Sequence, residues 1–121
     1  MALTKTAQTV QASATNASAG TTTSAAFDTN YGVSGVAKIT NGGTGPAIGC
    51  DFVVEGSNDG GTTYFELYRQ TAGIVASAVY LFPFYLGIGA GADFGKYRVK
   101  FTGNTGQSVT VQADAQTTAT V

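Results

Sequence analysis

The clearest hydrophobic pattern in the chain has a period of two, which is the period of a β-strand. It is strongest in residues 96–102, where Tyr97, Val99 and Phe101 alternate with charged residues and therefore fall on one face. Residues 103–106 are Gly-Asn-Thr-Gly, a composition typical of a turn. A second alternating run follows, with its apolar positions at Val109, Val111 and Ala113. The pattern predicts two strands joined as an antiparallel hairpin.

The same alternation recurs through the middle of the chain. Strands are predicted in residues 33–40, 48–55, 63–70 and 79–88, with glycine-rich turns at 41–46 and 57–62. Helical periodicity is almost absent. Seven or eight short strands predict an all-β fold, an antiparallel β-sandwich of jelly-roll or immunoglobulin type, with a small barrel as the alternative. The predicted core is Phe52, Val54, Tyr97, Val99, Phe101, Val109 and Val111.

The first 24 residues differ from the rest, because Ala, Thr, Ser, Gln and Asn dominate them. Leu3 and Val10 are the only sizeable apolar side chains, too few to form a core. Two interpretations compete, a disordered tail and an extended arm that adds to a sheet or a partner. We favour an arm over residues 1–24, ahead of a sandwich domain over 25–121. Leu3 and Val10 would anchor it on a neighbouring subunit or a capsid protein.

The run 79–88 is apolar on both of its strand faces. Tyr80, Phe82 and Phe84 share one face, and Tyr85 lies on the other with further apolar residues. Such a strand is buried on both sides, or else one side contacts a partner. We therefore assign Tyr80, Phe82, Phe84 and Tyr85 to a subunit interface. Exposed tyrosines that bind a sugar are the alternative.

Composition excludes several kinds of chemistry. The chain of 121 residues has no histidine and one cysteine, so catalytic triads with histidine, histidine metal sites and intrachain disulfides are excluded. Cys50 lies in an apolar run and is predicted to be buried. A net charge of −1 argues against a nucleic-acid partner, and no apolar run is long enough for a membrane helix. We predict a protein that is not an enzyme and has no cofactor.

Low charge also bears on association. Charged residues are 11% of the chain, against roughly 25% in an average soluble domain. A surface of hydroxyls, amides and backbone suits a protein packed against neighbours, since monomers use charge to stay apart.

The remaining candidate sites are charged. Lys96, Arg98 and Lys100 form a basic stripe on one strand face, either a contact for phosphate or an acidic partner, or a solvated face paired with carboxylates such as Asp51 and Glu55. Asp59 stands alone among glycines, which favours a turn over a calcium loop. No pair of carboxylates is singled out as a metal or catalytic site.

Two segments resemble a known class of protein. They are residues 38–46 with 53–64, which read KITNGGTGP and VVEGSNDGGTTY, and residues 97–111, which read YRVKFTGNTGQSVTV. Over residues 33–115 the chain resembles small β-rich virion proteins of tailed bacteriophages, of the capsid cement or decoration type. The resemblance implies a β-sandwich or β-tulip-like domain, made in the bacterial host cytoplasm, that binds the major capsid protein on the outside of the virion, often as a homotrimer. Phage tail and head-fibre proteins share these turn patterns and stay as alternatives.

Overall fold

The computed structural model describes residues 3–27, 32–87 and 96–120. Within these ranges the chain forms strands and no helix. The strands are β1 (Leu3–Asn16), β2 (Thr21–Thr23), β3 (Gly32–Asn41), β4 (Asp51–Ser57), β5 (Phe65–Thr71), β6 (Val79–Gly87), β7 (Lys96–Thr102) and β8 (Val109–Thr120).

The strands form two four-stranded sheets in which every pairing is antiparallel. The first sheet has the order β1-β8-β3-β6, and the second has the order β2-β7-β4-β5. The pairing is nested: β4 pairs with β5, β3 with β6, β2 with β7 and β1 with β8. Further ladders join β3 to β8 and β4 to β7, and they complete the two sheets. The prediction of an all-β sandwich-like fold is confirmed at this level.

The core lies between the two sheets and consists of the residues that the alternation selected. All seven predicted core residues are at most 2% exposed. The Phe52 ring is central, since its centroid lies 5.6 Å from that of Phe101 on β7 and 5.4 Å from that of Phe84 on β6. Gly35 makes room for Phe84, because a Cβ there would clash with the phenyl ring. Aromatic rings from both sheets therefore fill the centre of the sandwich.

The predicted hairpin of residues 96–113 is wrong in its pairing. Both strands form as expected, but β7 lies in the second sheet and β8 in the first. The connection between them crosses the sandwich, and it contains two glycines with positive φ, Gly103 at 93° and Gly106 at 87°. The alternation is unaffected, because each strand turns its apolar face to the same core.

The N-terminal segment also differs from the prediction of an arm that leaves its own domain. Residues Leu3–Asn16 form β1, which pairs with β8 of the same chain from Leu3↔Thr120 to Asn16↔Val109. Val10 is 8% exposed and belongs to the core, so it is not a free anchor for a partner. The side chain of Leu3 lies outside the described part of the structure. The entropy cost of ordering this segment is offset mainly by its backbone hydrogen bonds to β8, a strand of the same chain.

A buried pair of asparagines connects the end of β1 to the loop that follows β7. Asn16 donates from Nδ2 to Oδ1 of Asn104 at 2.6 Å, and both side chains are at most 1% exposed. The Asn104 amide donates in turn to the carbonyl oxygens of Asn16, Ala17 and Gln107 at 3.0–3.3 Å. Its backbone oxygen accepts from the Ala19 amide at 2.7 Å. One side chain therefore holds the β1–β2 turn against the β7–β8 connection.

We predict that Phe101→Ala lowers the free energy of unfolding by about 3–5 kcal/mol, because it removes a fully buried ring between the sheets. Urea or guanidinium unfolding measures the change. Thr110→Ala, on the exposed face of β8, is the control and should cost less than about 1 kcal/mol. A loss of similar size in both variants would contradict the placement of Phe101.

We also predict that Asn104→Ala destabilises the protein by about 1–3 kcal/mol, because it removes the buried acceptor of one Asn16 hydrogen bond and the side-chain donor to three carbonyl groups of the two connections. The same unfolding measurement applies, with Asn58→Ala as the control, since Asn58 is an exposed asparagine of the β4–β5 loop. If both substitutions had equally small effects, the buried amide would not be holding the two connections together.

Candidate functional site

An apolar stripe runs along the outer face of β6, the edge strand of the first sheet. We call Val79, Leu81, Pro83 and Tyr85 the β6 stripe. Val79 is 53% exposed, Leu81 60% and Tyr85 67%, and Pro83 is exposed as well. Val36 on the neighbouring strand pairs with Pro83 and widens the stripe at 43% exposed. Contiguous exposed apolar side chains of this kind mark interaction surfaces.

The other face of β6 points into the sandwich, and this corrects part of the predicted interface. Phe84 is 7% exposed and lies in the core, and Tyr80 and Phe82 pack against that core. Of the four residues assigned to an interface from the sequence, only Tyr85 stands on the outer face. β6 is thus apolar on both faces, with one face buried in the core of the chain and the other exposed.

The rest of this outer face is polar and nearly uncharged. Its two central strands carry one charged residue each, Lys38 on β3 and Asp114 on β8, and both are exposed. Gln112 donates to Oδ2 of Asp114 at 2.7 Å and so orients that carboxylate. An open groove of about 320 Å³ lies between the two strands, lined by Ser34, Gly35, Val36, Asp114, Ala115 and Gln116. The groove and the β6 stripe form one continuous face.

The outer face of the second sheet is charged, and its charges are paired within the chain. The Glu55 carboxylate accepts from Nε of Arg98 at 2.8 Å and from Nζ of Lys100 at 3.2 Å. The basic stripe predicted from the sequence is thus paired with a carboxylate at Arg98 and Lys100, as the second interpretation expected. Lys96 is half-buried at the start of β7, opposite Ser57.

A second ion-pair group lies beside the first on the same face. Arg69 on β5 bonds to Glu66 at 2.8 Å and to Asp51, so Asp51 pairs with β5 and not with the basic stripe. The guanidinium of Arg98 also lies over the Tyr64 ring, 3.7 Å from its centroid. These contacts leave this face with little unpaired charge to offer a phosphate or an acidic partner.

Glu55 is the most buried carboxylate of this network, with 9% of its side chain exposed. Burial alone would raise its pKa, but the hydrogen bonds from Arg98 and Lys100 and their positive charges hold the pKa below its usual value. The folded state therefore favours ionised Glu55, and its stabilising contribution depends on pH.

The other chemistry-bearing residues have structural roles. Asp59 accepts from the Thr63 amide at 2.8 Å, from Ser57 at 2.7 Å and from the Thr62 amide at 3.0 Å, which lowers its pKa to about 2. It therefore holds the β4–β5 turn, as the sequence favoured.

Burial raises the pKa of the Cys50 thiol to about 12, and the side chain is fully buried. In the ranges that the structure describes, no group of three or more His, Cys, Asp or Glu residues could hold a metal ion.

Sequence reasoning missed most of the outer-face residues. It noted further apolar residues on the strand face of Tyr85 but did not assign Val79, Leu81 or Pro83 to a site. It gave Val36, Lys38 and Asp114 no role. The register of β3 with β6 and β8 places these residues side by side, and that register is not visible in any one strand.

Comparison with known proteins gives no match to a protein-family model, a curated protein or a solved structure. Among the described residues, no helix is long and apolar enough to span a membrane.

We predict that Glu55→Gln lowers the free energy of unfolding by about 1–3 kcal/mol at pH 7, because it weakens two charge-assisted hydrogen bonds. The pKa of Glu55 is lowered on folding, so the native advantage is present above 4.5, the ordinary value, and is lost as the pH falls through the folded pKa. Denaturant unfolding at neutral and acidic pH should show the gap between the two proteins narrowing in acid.

The control for this prediction is Glu66→Gln, since 46% of the Glu66 side chain is exposed in its pair with Arg69. It should cost less than about 1 kcal/mol at neutral pH. A Glu55→Gln gap that stayed constant or widened in acid would contradict the assigned role of the carboxylate.

Proposed function

We propose that this chain is a structural protein of a tailed-bacteriophage virion, without enzymatic activity, that binds the outside of the capsid and stabilises the head. The observation that carries the proposal is the exposed β6 stripe on a face with few charges. An exposed apolar face with few charges promotes association, which is unfavourable for a protein that acts as a monomer in solution. In a protein that packs against its own copies and against capsid subunits, the same face forms the contacts. The resemblance stated above supports the capsid as the place of assembly, with a homotrimer as the implied form.

The strand order supports a jelly roll as the finer description of the fold. Nested pairing of β4 with β5, β3 with β6, β2 with β7 and β1 with β8 gives a double sheet of eight strands. Jelly rolls have this number of strands in two sheets and occur in viral capsid and lectin domains. In an immunoglobulin sandwich the first strand pairs with the second, whereas here β1 pairs with β8.

Stabilisation would operate by mass action. A protein that binds the assembled lattice, and not its separate subunits, stabilises the lattice by RT ln(1 + [L]/Kd). This is about 2.7 kcal/mol per site when the free protein is at 100 times its Kd. Repetition over many sites in one particle then opposes the pressure of packaged DNA without any catalytic step.

The tyrosines give less support to sugar binding. Tyr64 lies under the Arg98 guanidinium, Tyr68 packs edge-on to Phe52, and Tyr85 stands on the outer face of the other sheet. These three rings do not form one platform on which a sugar could stack. We therefore prefer assembly to carbohydrate recognition as the role of Tyr85.

The direct test is to look for the chain in phage particles. Virions purified from the source of the sequence should contain the 12.2 kDa chain, and cryo-electron microscopy should place it on the outside of the head. Density in the tail or fibres would overturn the head assignment. Complete absence from the particles would overturn the virion role itself.

The role of the β6 stripe is tested by adding protein back to particles that lack it. We predict that Leu81→Asp weakens binding at least about tenfold, because it puts a charge into an apolar contact. Ile48→Asp is a matched control, since Ile48 is 59% exposed at a site away from the stripe. Co-sedimentation measures both. Equal binding by Leu81→Asp and the native chain would contradict an assembly role for this face.

A further inference from the structure

We propose that the outer face of the first sheet is covered by the same face of a second copy of this chain, related by a two-fold axis. The proposal rests on the proposed function in one respect, namely that the β6 stripe is an assembly surface. It goes beyond that function by naming the occupant of the stripe and the symmetry of the contact, a two-fold pair in place of the homotrimer that the resemblance implies.

The register of the sheet shows which axis matches the stripe with itself. The axis lies in the plane of the interface, perpendicular to the strands, and crosses β6 between Leu81 and Pro83. A rotation of 180° about it places Val79 of one copy over Tyr85 of the second copy, and Leu81 over Pro83. Sheets packed in this way keep their strands roughly aligned, which is the common arrangement for stacked sheets. Each exposed apolar side chain of the stripe then meets another.

The same axis matches the charges. Val36 pairs with Asp114 across β3 and β8, and Lys38 pairs with Gln112, so Lys38 and Asp114 are diagonal neighbours. Among the described contacts they form no ion pair with each other. Rotation about the axis brings Lys38 of one copy to about one strand spacing, roughly 5 Å in the plane, from Asp114 of the second copy. Both charges of the two central strands thus gain an opposite partner, twice per dimer.

Edge-to-edge pairing through β6 is a less suitable arrangement. It would make β6 a central strand, whereas prolines in sheets are confined to edges, bulges and strand starts, and Pro83 lies in the middle of β6. Face-to-face packing requires no new backbone hydrogen bonds from β6. The outer face of the second sheet is the poorer candidate, because its ion pairs are already made within the chain.

The area of the face indicates the affinity to expect for the dimer. Over the nine residues of β6, the four strands of the sheet cover roughly 500 Å² of flat surface, so a pair of copies buries about 1,000 Å² or somewhat more. This lies at the lower end of specific interfaces. The dimer should therefore depend on concentration over about 10–500 µM and be absent at high dilution.

Sedimentation equilibrium of the full chain tests the association. The native protein should approach twice 12.2 kDa as its concentration rises. A single-chain mass at all concentrations would overturn the proposal. A mass of three chains would overturn the two-fold symmetry in favour of a trimer.

Charge reversal tests the symmetry. Lys38→Glu alone and Asp114→Lys alone should each weaken self-association about tenfold or more, because the two-fold axis repeats each repulsive contact. An equimolar mixture of the two variants should associate to within about threefold of the native protein. In that mixed dimer one contact joins the two introduced charges, which are opposite, and the other contact joins the native Lys38 and Asp114.

The matched control for charge reversal is Glu66→Lys, which makes the same change in charge as Asp114→Lys but lies on β5, in the second sheet, where 46% of the Glu66 side chain is exposed. It should change self-association by less than about twofold, since it lies away from the stripe and from both matched charges. Thermal melts should confirm that all variants fold.

The outcomes separate this proposal from the proposed function. If both single variants lose association and the mixture does not recover it, the two-fold arrangement is wrong. If the native chain stays monomeric but Leu81→Asp still loses particle binding, the stripe contacts a capsid protein, so the virion role stands and the self-pairing fails. If the pairing is confirmed but virions lack the chain, the virion role fails alone.

Discussion

The fold depends on connections that cross between two sheets, and buried asparagine amides hold these connections in place. Asn104 bonds to Asn16 and to three backbone carbonyl groups, fixing the β7–β8 crossing against the β1–β2 turn. Asn41 acts similarly elsewhere, donating to the carbonyl oxygens of Gly73 and Val75 in the β5–β6 connection. An asparagine amide suits such a place, because it supplies two donors to loop carbonyl groups that no strand can reach. The apolar core gives most of the stability, but these amides select which loop lies against which strand.

This distinction explains how far the sequence could predict the fold. Alternation at Tyr97, Val99 and Phe101 depends on which side of a strand faces the core, and burial confirms it. The same alternation results whether two successive strands pair directly or lie in opposite sheets, since both inner faces meet one core. The predicted β7–β8 hairpin was therefore wrong although both of its strands were right. Asn104 holds the crossing connection in place, but it is a polar residue in a turn, and the sequence does not reveal that it is buried.

The candidate site was predictable to a smaller extent, for a related reason. A two-sided apolar strand at 79–88 indicated a surface for contacts, but it did not distinguish the side that packs inward. Phe84 fits against Gly35, so the side of the strand that carries Phe84 faces the core, and the side that carries Leu81 and Tyr85 stays open. The N-terminal segment illustrates the same limit, since its neutral side chains allow pairing with any exposed edge. The edge of β8 in its own chain is available, and β1 pairs with it.

The two outer faces finally differ in where their charges find partners. On the second sheet, Glu55 forms ion pairs with Arg98 and Lys100. This face is therefore polar, and it has little unpaired charge for a partner to bind. On the first sheet Lys38 and Asp114 lie diagonally apart, beside exposed apolar side chains. A lone exposed charge is well solvated and has no need of a partner, so these two residues alone would not indicate association. Their position beside the β6 stripe matters, because burial of the stripe would remove water from both charges, and an interface that did not pair them would be opposed by that cost. A neighbour that covers the stripe must therefore carry opposite charges at these two positions, and a second copy of the same face meets that requirement.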